Sequence, residues 1–277
     1  MKKSIIFGSI ILLLWSCEEL EQPVSNVFVV EGFITADEQV ADIKIKETVS
    51  LDTEEFEDIP ISDAEVTITS GESSVLLSYN NATGKYFDPG NTFSIRNQEE
   101  YQIEIVVDGI TATSSTVVPD QPTGLELSRD VLIVPQLFLD FTLRTAIQRL
   151  FAEEISELTW DSEPGQFYYV VIENKEEVID PILPSGIPEE SVELISSFRF
   201  ISAPSEVTSF NIVAVALETY GLHVAKVYTV NQEYVDLFNS ATQDSRDLNE
   251  PPSNVISALG IFTSFAVDSV EFEVRRE

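Results

Sequence analysis

Few side chains in this sequence have the type and spacing to do chemistry. Among 277 residues there is one histidine, His223, and one cysteine, Cys17. A Ser-His-Asp triad or a histidine metal site would have to use His223. It lies between Gly221-Leu222 and an apolar run, which predicts a structural turn or strand-edge residue. No G-x-S-x-G, phosphate-loop or G-x-G-x-x-G spacing occurs. Paired carboxylates could run glycosidase chemistry. With 48 acidic residues, however, such pairs arise by chance and none stands out. The run Asp52 to Asp58 holds five acids in seven residues. It offers oxygens to Ca²⁺, which takes about six to eight. It lacks the D-x-[DN]-x-[DN]-G spacing, so a solvated loop is predicted. The aromatics Trp160, Phe167, Tyr168 and Tyr169 could line a ligand pocket. Consecutive residues on a strand face opposite ways, so part of this set must be core. Trp160, Tyr168 and Tyr169 are therefore a candidate ligand or packing surface. The sequence predicts no catalytic residue, no metal ligand and no cofactor.

Charge narrows the partners. The formal net charge is −33. Such a surface repels phosphates, so nucleic acid is not a predicted partner. Acidity of this kind serves solubility and would attract cations. The lone cysteine permits no intramolecular disulfide. The fold must rest on apolar burial, which 43% hydrophobic residues can supply.

The N-terminus reads as an address. Lys2 and Lys3 precede an uncharged apolar run from Ile5 to Trp15. That run is too short for a hydrocarbon core of about 30 Å, which needs about 20 apolar residues. Residues 1–16 read as a signal peptide. Leu14-Trp15-Ser16-Cys17 resembles the lipobox of bacterial lipoproteins, which is cut before the cysteine, and the cysteine is then acylated. Ser16 fits that pattern, and Trp15 departs from it, a small or aliphatic residue being usual. Acyl chains on Cys17 would hold the protein to a membrane, each buried CH₂ contributing about 0.8 kcal/mol. Glu18 and Glu19 look like the surface-export signal of Bacteroidetes lipoproteins, which favours the cell surface over the periplasmic face of the outer membrane.

The elements that would position any site are mostly strands. Residues 17–25 form a polar tether. Asn26 to Ala36, Val40 to Ser50 and Ala64 to Thr69 alternate with period two. Tyr101 to Val118 is a hairpin about Asp108-Gly109, a pair suited to the two positive φ angles of a type I′ turn. Pro119, Pro122 and Gly124 then break the pattern, which places a domain boundary there. A short helix is predicted near Thr142 to Ala152, and Glu154 to Asp161 also suits a strand. Gln166 to Glu173, Phe210 to Glu218 and Val224 to Val230 read as buried central strands. A second helix, near 232–243, carries Tyr234, Leu237, Phe238 and Ala241 on one face, with Asn231 as its N-cap. Val267 to Arg275 reads as the last strand. The expected fold is mainly β: two Ig-like or transthyretin-like antiparallel β-sandwich domains, 26–119 and 122–277, the second with short helical insertions.

Several segments together resemble one family: Val29-Val30-Glu31-Gly32, Ala64 to Ile68, Trp160-Asp161 before Phe167-Tyr168-Tyr169, the Tyr234 helix, and Pro251-Pro252-Ser253-Asn254 leading into Leu259-Gly260-Ile261-Phe262. With the lipobox, they look like the Bacteroidetes outer-membrane lipoproteins grouped as domain of unknown function 4249. That family's pattern leads one to expect glycines before Leu259-Gly260, where this chain has Ser257 and Ala258. The resemblance implies a lipid-anchored outer-membrane accessory or ligand-binding lipoprotein, non-enzymatic, partnered by a TonB-dependent receptor in nutrient capture. The alternative expectation is an adhesin-like or structural surface module that depends on Ca²⁺. Asp268-Ser269-Val270 matches the D-[ST]-apolar motif of Bacteroidetes O-glycosylation and makes Ser269 a candidate attachment site.

Overall fold

Period-two alternation becomes strand wherever one face finds a core. The computed structural model describes residues 27–48, 58–137, 143–161, 163–182, 199–241 and 252–277. The leader 1–16, the tether 17–25 with Cys17, residues 52–57 of the acidic run and the loop residues 183–191 lie outside the described residues.

The first half supplies β1 (Phe28–Thr35), β2 (Asp42–Glu47), β3 (Glu65–Ser70), β4 (Ser73–Leu76), β5 (Ser78–Asn80), β6 (Lys85–Phe87), β7 (Glu100–Val107) and β8 (Ile110–Val117). The second supplies β9 (Thr123–Leu127), β10 (Val131–Val134), α1 (Leu143–Glu153), β11 (Ile155–Asp161), β12 (Phe167–Asn174), β13 (Asp180–Pro181), β14 (Phe200–Ile201), β15 (Ser209–Val213), β16 (Thr219–Val230), α2 (Gln232–Ala241) and β17 (Leu259–Arg276). The fold is mainly β, with two short helices among the described residues. The strands form a 10-stranded sheet, a four-stranded sheet in the order β4-β3-β7-β8 and a three-stranded sheet in the order β15-β11-β9. At the β7–β8 turn, Asp108 and Gly109 take φ of 49° and 81°, the conformation the Asp-Gly pair was expected to adopt.

Two cores form between the long sheet and the smaller ones. In the first, Val30, Ile34, Ile43 and Ile45 meet Val66, Ile68, Tyr101, Ile103 and Ile105. In the second, Val170, Ile172, Val227 and Phe272 meet Leu158, Trp160 and Ile212, and Leu150 of α1 joins them. One strand serves both. The even-numbered residues of β17 enter the first core as Phe262 and Ala266 and the second as Phe272 and Val274. β17 runs parallel to β1 from Leu259 to Phe265 and antiparallel to β16 from Phe265 to Val274. Its last residues run parallel to β10.

β17 therefore corrects several expectations. The sheets are not all antiparallel, because β17 reaches β1 only after more than 200 intervening residues and arrives in the same direction. The last strand starts at Leu259 rather than Val267. Its first part was illegible because Ile261 to Ala266 are buried in succession, both faces being covered. The first core is not built from residues 26–119 alone, since Val255, Ala258, Phe262 and Ala266 lie in it. Two local readings also change. The run from Phe210 to Glu218 is not one central strand: β15 is an edge strand, and Ala214–Ala216 form a 3₁₀ turn. Asn231 caps α2 through its backbone carbonyl, which accepts from the Tyr234 N–H at 3.1 Å. Its side-chain amide instead donates to Thr116 Oγ1, the Val117 carbonyl and Ser264 Oγ, tying the helix start to β8 and β17.

A loop beside β6 rests on Asp88, which is 2% exposed. Its carboxylate accepts from the backbone N–H of Gly90, Thr92 and Phe93 at 2.9, 2.7 and 3.0 Å. Burial opposes the charge on Asp88, but these donors outweigh it and hold its pKa below the usual carboxylate value. Asp88→Ala would leave several N–H groups near the core without an acceptor, at a cost of about 2–3 kcal/mol. The contribution made by the charge is present above the unfolded pKa of about 3.9 and is lost as pH falls through the lowered folded value. Urea melts should therefore show a wild-type advantage over Asp88→Ala at neutral pH that shrinks below about pH 4. An advantage independent of acid would remove the carboxylate from the explanation.

Candidate functional site

A cleft walled by aromatic rings lies on the odd-numbered face of β17, opposite the cores. Tyr169 of β12 and Tyr228 of β16 are direct cross-strand partners. Their rings stack at 4.7 Å between centroids and 4° between planes. Tyr234, on the first turn of α2, stacks on Tyr169 at 5.6 Å and 29°. Beneath them Phe265 of β17 stands edge-on to all three tyrosines, at interplanar angles of 82°, 85° and 89°. Phe33 of β1 stacks on Phe265 at 5.9 Å. Together with Thr35, Glu38, Gln39, Ala41, Asp42 and Lys85 these residues line a cleft of about 450 Å³. It sits where the two halves of the chain meet.

Its electrostatics follow from burial and pairing. Burial first, then the neighbouring Tyr234 and Tyr228, pushes the Tyr169 phenol far above its usual value. Burial also raises Tyr228 and Tyr234. All three phenols are neutral at physiological pH. Their oxygens are neither hydrogen-bonded nor sealed from solvent among the described residues. Asp42 is paired with Lys85 at 2.6 Å. Glu173, next to the stack, is held by Arg199 and Lys226 at 2.7 and 2.8 Å. Glu38, on the rim, has no ion pair among the described residues.

The residues named from the sequence divide. Trp160 and Tyr168 are in the second core, ring to ring at 5.7 Å and 6% and 2% exposed, so they are packing residues. Tyr169 points the other way, into the cleft. Phe33, Tyr228, Tyr234, Phe265 and Glu38 were not singled out as a group. Only strand register brings them together, and the one local signal was the odd spacing of Tyr169 from the core residues Tyr168 and Val170. His223 is 3% exposed and inside β16 rather than at a strand edge. Its Nδ1 donates to the Gly221 carbonyl at 3.0 Å, so Nε2 accepts from Thr219 Oγ1 at 3.1 Å, which itself accepts from Asn174. Burial lowers its pKa against the pull of the Gly221 carbonyl and Glu176, and the ring stacks on Phe272. It is a satisfied structural histidine. Ser269 is exposed on β17. No group of three or more metal-ligating side chains occurs among the described residues. Asp58, at the end of the acidic run, is paired with Lys46 at 3.0 Å.

Comparison with known proteins bears on family. A family profile described as Domain of unknown function (DUF4249) matches residues 18–271. The chain belongs to this family. No curated protein matches it. Among solved structures, a three-domain stretch of titin aligns at 10% identity and a TM-score of 0.22, covering 90% of this chain and 67% of that one. The FN1-FN3 domains of chicken CNTN1 align at 11% identity and a TM-score of 0.25, covering 89% and 66%.

Two of the DUF4249 segments quoted above meet in one seam. Val29-Val30-Glu31-Gly32 pairs residue for residue with Leu259-Gly260-Ile261-Phe262. Asn254 brackets the same stretch: its side-chain amide donates to the Phe262 carbonyl at 2.8 Å and accepts the Phe262 N–H at 2.9 Å. Ser114 of β8 donates to the Asn254 carbonyl at 2.8 Å. Gly32 leaves room for Phe262, whose Cδ2 would be 2.8 Å from an added Cβ. Ser257 takes φ of 68° and Ala258 is buried in the first core. The chain thus departs from the expected glycines at a left-handed position, where a Cβ costs about 1–2 kcal/mol.

Proposed function

We propose that the protein is a lipid-anchored, non-enzymatic binding protein of the outer membrane, working beside a TonB-dependent receptor in nutrient capture, with the tyrosine cleft as its binding element. The cleft carries this reading. It gathers three neutral phenols from β12, β16 and α2 and, from the turn after β1, a carboxylate with no ion pair among the described residues, around one concave surface. The sole histidine is spent on internal hydrogen bonds, which supports the non-enzymatic part. The leader and Cys17 support the anchor, with the cell surface favoured over the periplasmic face. In the same reading the two layered cores are Ig-like or transthyretin-like sandwiches, sharing β17. Exposure of Ser269 supports O-glycosylation at Asp268-Ser269-Val270.

Intact-mass measurement on protein extracted from envelopes tests the two modifications. A mature chain starting at Cys17 should carry acyl mass, and a palmitate analogue should label it. Cys17→Ser should remain unprocessed and unlabelled, and Ser269→Ala should lose any glycan mass. Equal labelling of wild type and Cys17→Ser would overturn the anchor. Affinity capture from detergent extracts tests the partner, and repeated recovery without a receptor would count against it.

A further inference from the structure

We propose that the tyrosine cleft binds a guanidinium or ammonium group carried on an apolar stem. This rests on reading the cleft as the binding element, but not on the lipid anchor. The ring geometry narrows the ligand first. Both faces of Tyr169 are taken, by Tyr228 at 4.7 Å and by Tyr234 at 5.6 Å. Phe265 turns its ring across all three. The central ring of the stack thus has no free face for a flat sugar or aromatic ligand. What the stack offers is its oxygen edge.

Each neutral phenol on that edge can accept a hydrogen bond as well as donate one. Three phenol oxygens are without partners among the described residues. The Gln39 amide nitrogen donates to the Asp88 carbonyl at 2.6 Å, which fixes the side chain and leaves its amide oxygen as a further acceptor. Asp42 and Lys85 cancel, so Glu38 gives the lining one unbalanced negative charge, set against the one positive charge by which Arg199 and Lys226 exceed Glu173 beside the stack. The surrounding chain, at −33, repels anions. Guanidinium and ammonium groups carry donors and no acceptor, so they are the complement of this array. Phe33 and Ala41 supply an apolar wall for the stem. The volume of about 450 Å³ suits a ligand of side-chain size.

Calorimetric titration of the purified full chain tests this, with N-acetyl-argininamide as the probe and N-acetyl-citrullinamide as its neutral isostere. The arginine probe should bind about tenfold more tightly than the citrulline one, and added salt should weaken it. Glu38→Gln should weaken it severalfold. The combined variant Tyr169→Phe, Tyr228→Phe, Tyr234→Phe keeps the ring stack but removes the oxygens. It should melt like wild type and bind about tenfold more weakly. Agmatine separates the sources: equal affinity assigns a free amine, weaker affinity a side chain displayed on a protein. Equal binding of the arginine and citrulline probes would overturn the cationic ligand while leaving the cleft a binding site. No binding by any probe, or arginine binding unchanged in the triple variant, would overturn the assignment of this chemistry to the tyrosine edge.

Discussion

Gly260→Ala is expected to remove a large share of the stability of the native fold. An added Cβ at this position would sit 2.0 Å from the Val30 carbonyl oxygen and 2.9 Å from the Val30 carbonyl carbon and nitrogen. All three are backbone atoms of β1, so no rotamer relieves the contact. The residue also takes φ of 106°, a region essentially closed to side chains. Relief would require β1 and β17 to part, and that ladder carries Val30 and Phe262 into the first core. The strained φ alone costs about 1–3 kcal/mol. With the displaced ladder the sum passes about 4 kcal/mol, a large share of a typical stability of about 5–15. Gly71→Ala is the control. Gly71 has φ of 56° and nothing within 4 Å of an added Cβ, so only the backbone penalty of about 1–2 kcal/mol applies. Urea midpoints followed by circular dichroism compare the two. If Gly260→Ala costs no more than Gly71→Ala, the close approach of β1 and β17 is wrong.

The seam is the part of the fold that local patterning could not show. The β7–β8 hairpin was legible because Tyr101, Ile103 and Ile105 alternate with polar residues and Asp108-Gly109 demands a tight turn. α2 was legible from its start near Asn231 and the spacing of Tyr234 and Leu237. The first part of β17 has no alternation to read, because Phe262 and Ala266 fill the core while Phe265 fills the opposite face beneath the tyrosines. A parallel pairing across most of the chain also leaves no turn residue to mark it. The cleft failed to emerge for a related reason. Tyr169 could be picked from an aromatic run, but its partners Phe33, Tyr228, Tyr234 and Phe265 come from four other elements, and only register sets them side by side. Asp88 sits in Asp-Pro-Gly-Asn, which reads as an ordinary turn. It is tied to the turn before β2, its N–H donating to the Val40 carbonyl at 2.8 Å and its carbonyl accepting from Gln39 at 2.6 Å, and no local signal carries those distant contacts.

A fragment ending at Pro119 is expected to remain unfolded, although its strands alternate well enough to suggest an independent sandwich. The first core draws Val255, Ala258, Phe262 and Ala266 from the far end of the chain. Burying a side chain such as Val or Phe contributes about 1.5–3 kcal/mol, so the fragment forfeits much of a normal stability margin. It also loses the partner of β1 from Val29 to Thr35, seven paired residues in the middle of the long sheet. That leaves an apolar strand as an open edge, which invites aggregation. β8 loses the Ser114 contact to Asn254 and the tie from Asn231 as well. The complement from Pro122 keeps every residue of the second core but exposes Phe262 and Ala266, so it should retain β structure and self-associate. Mixing the two should restore a β-type far-UV spectrum in the N-terminal fragment, and the intact chain should melt in one transition. A cooperative melt of the isolated N-terminal fragment, near the temperature of the full chain, would show that β17 is dispensable to the first core and that the two halves are separate domains after all.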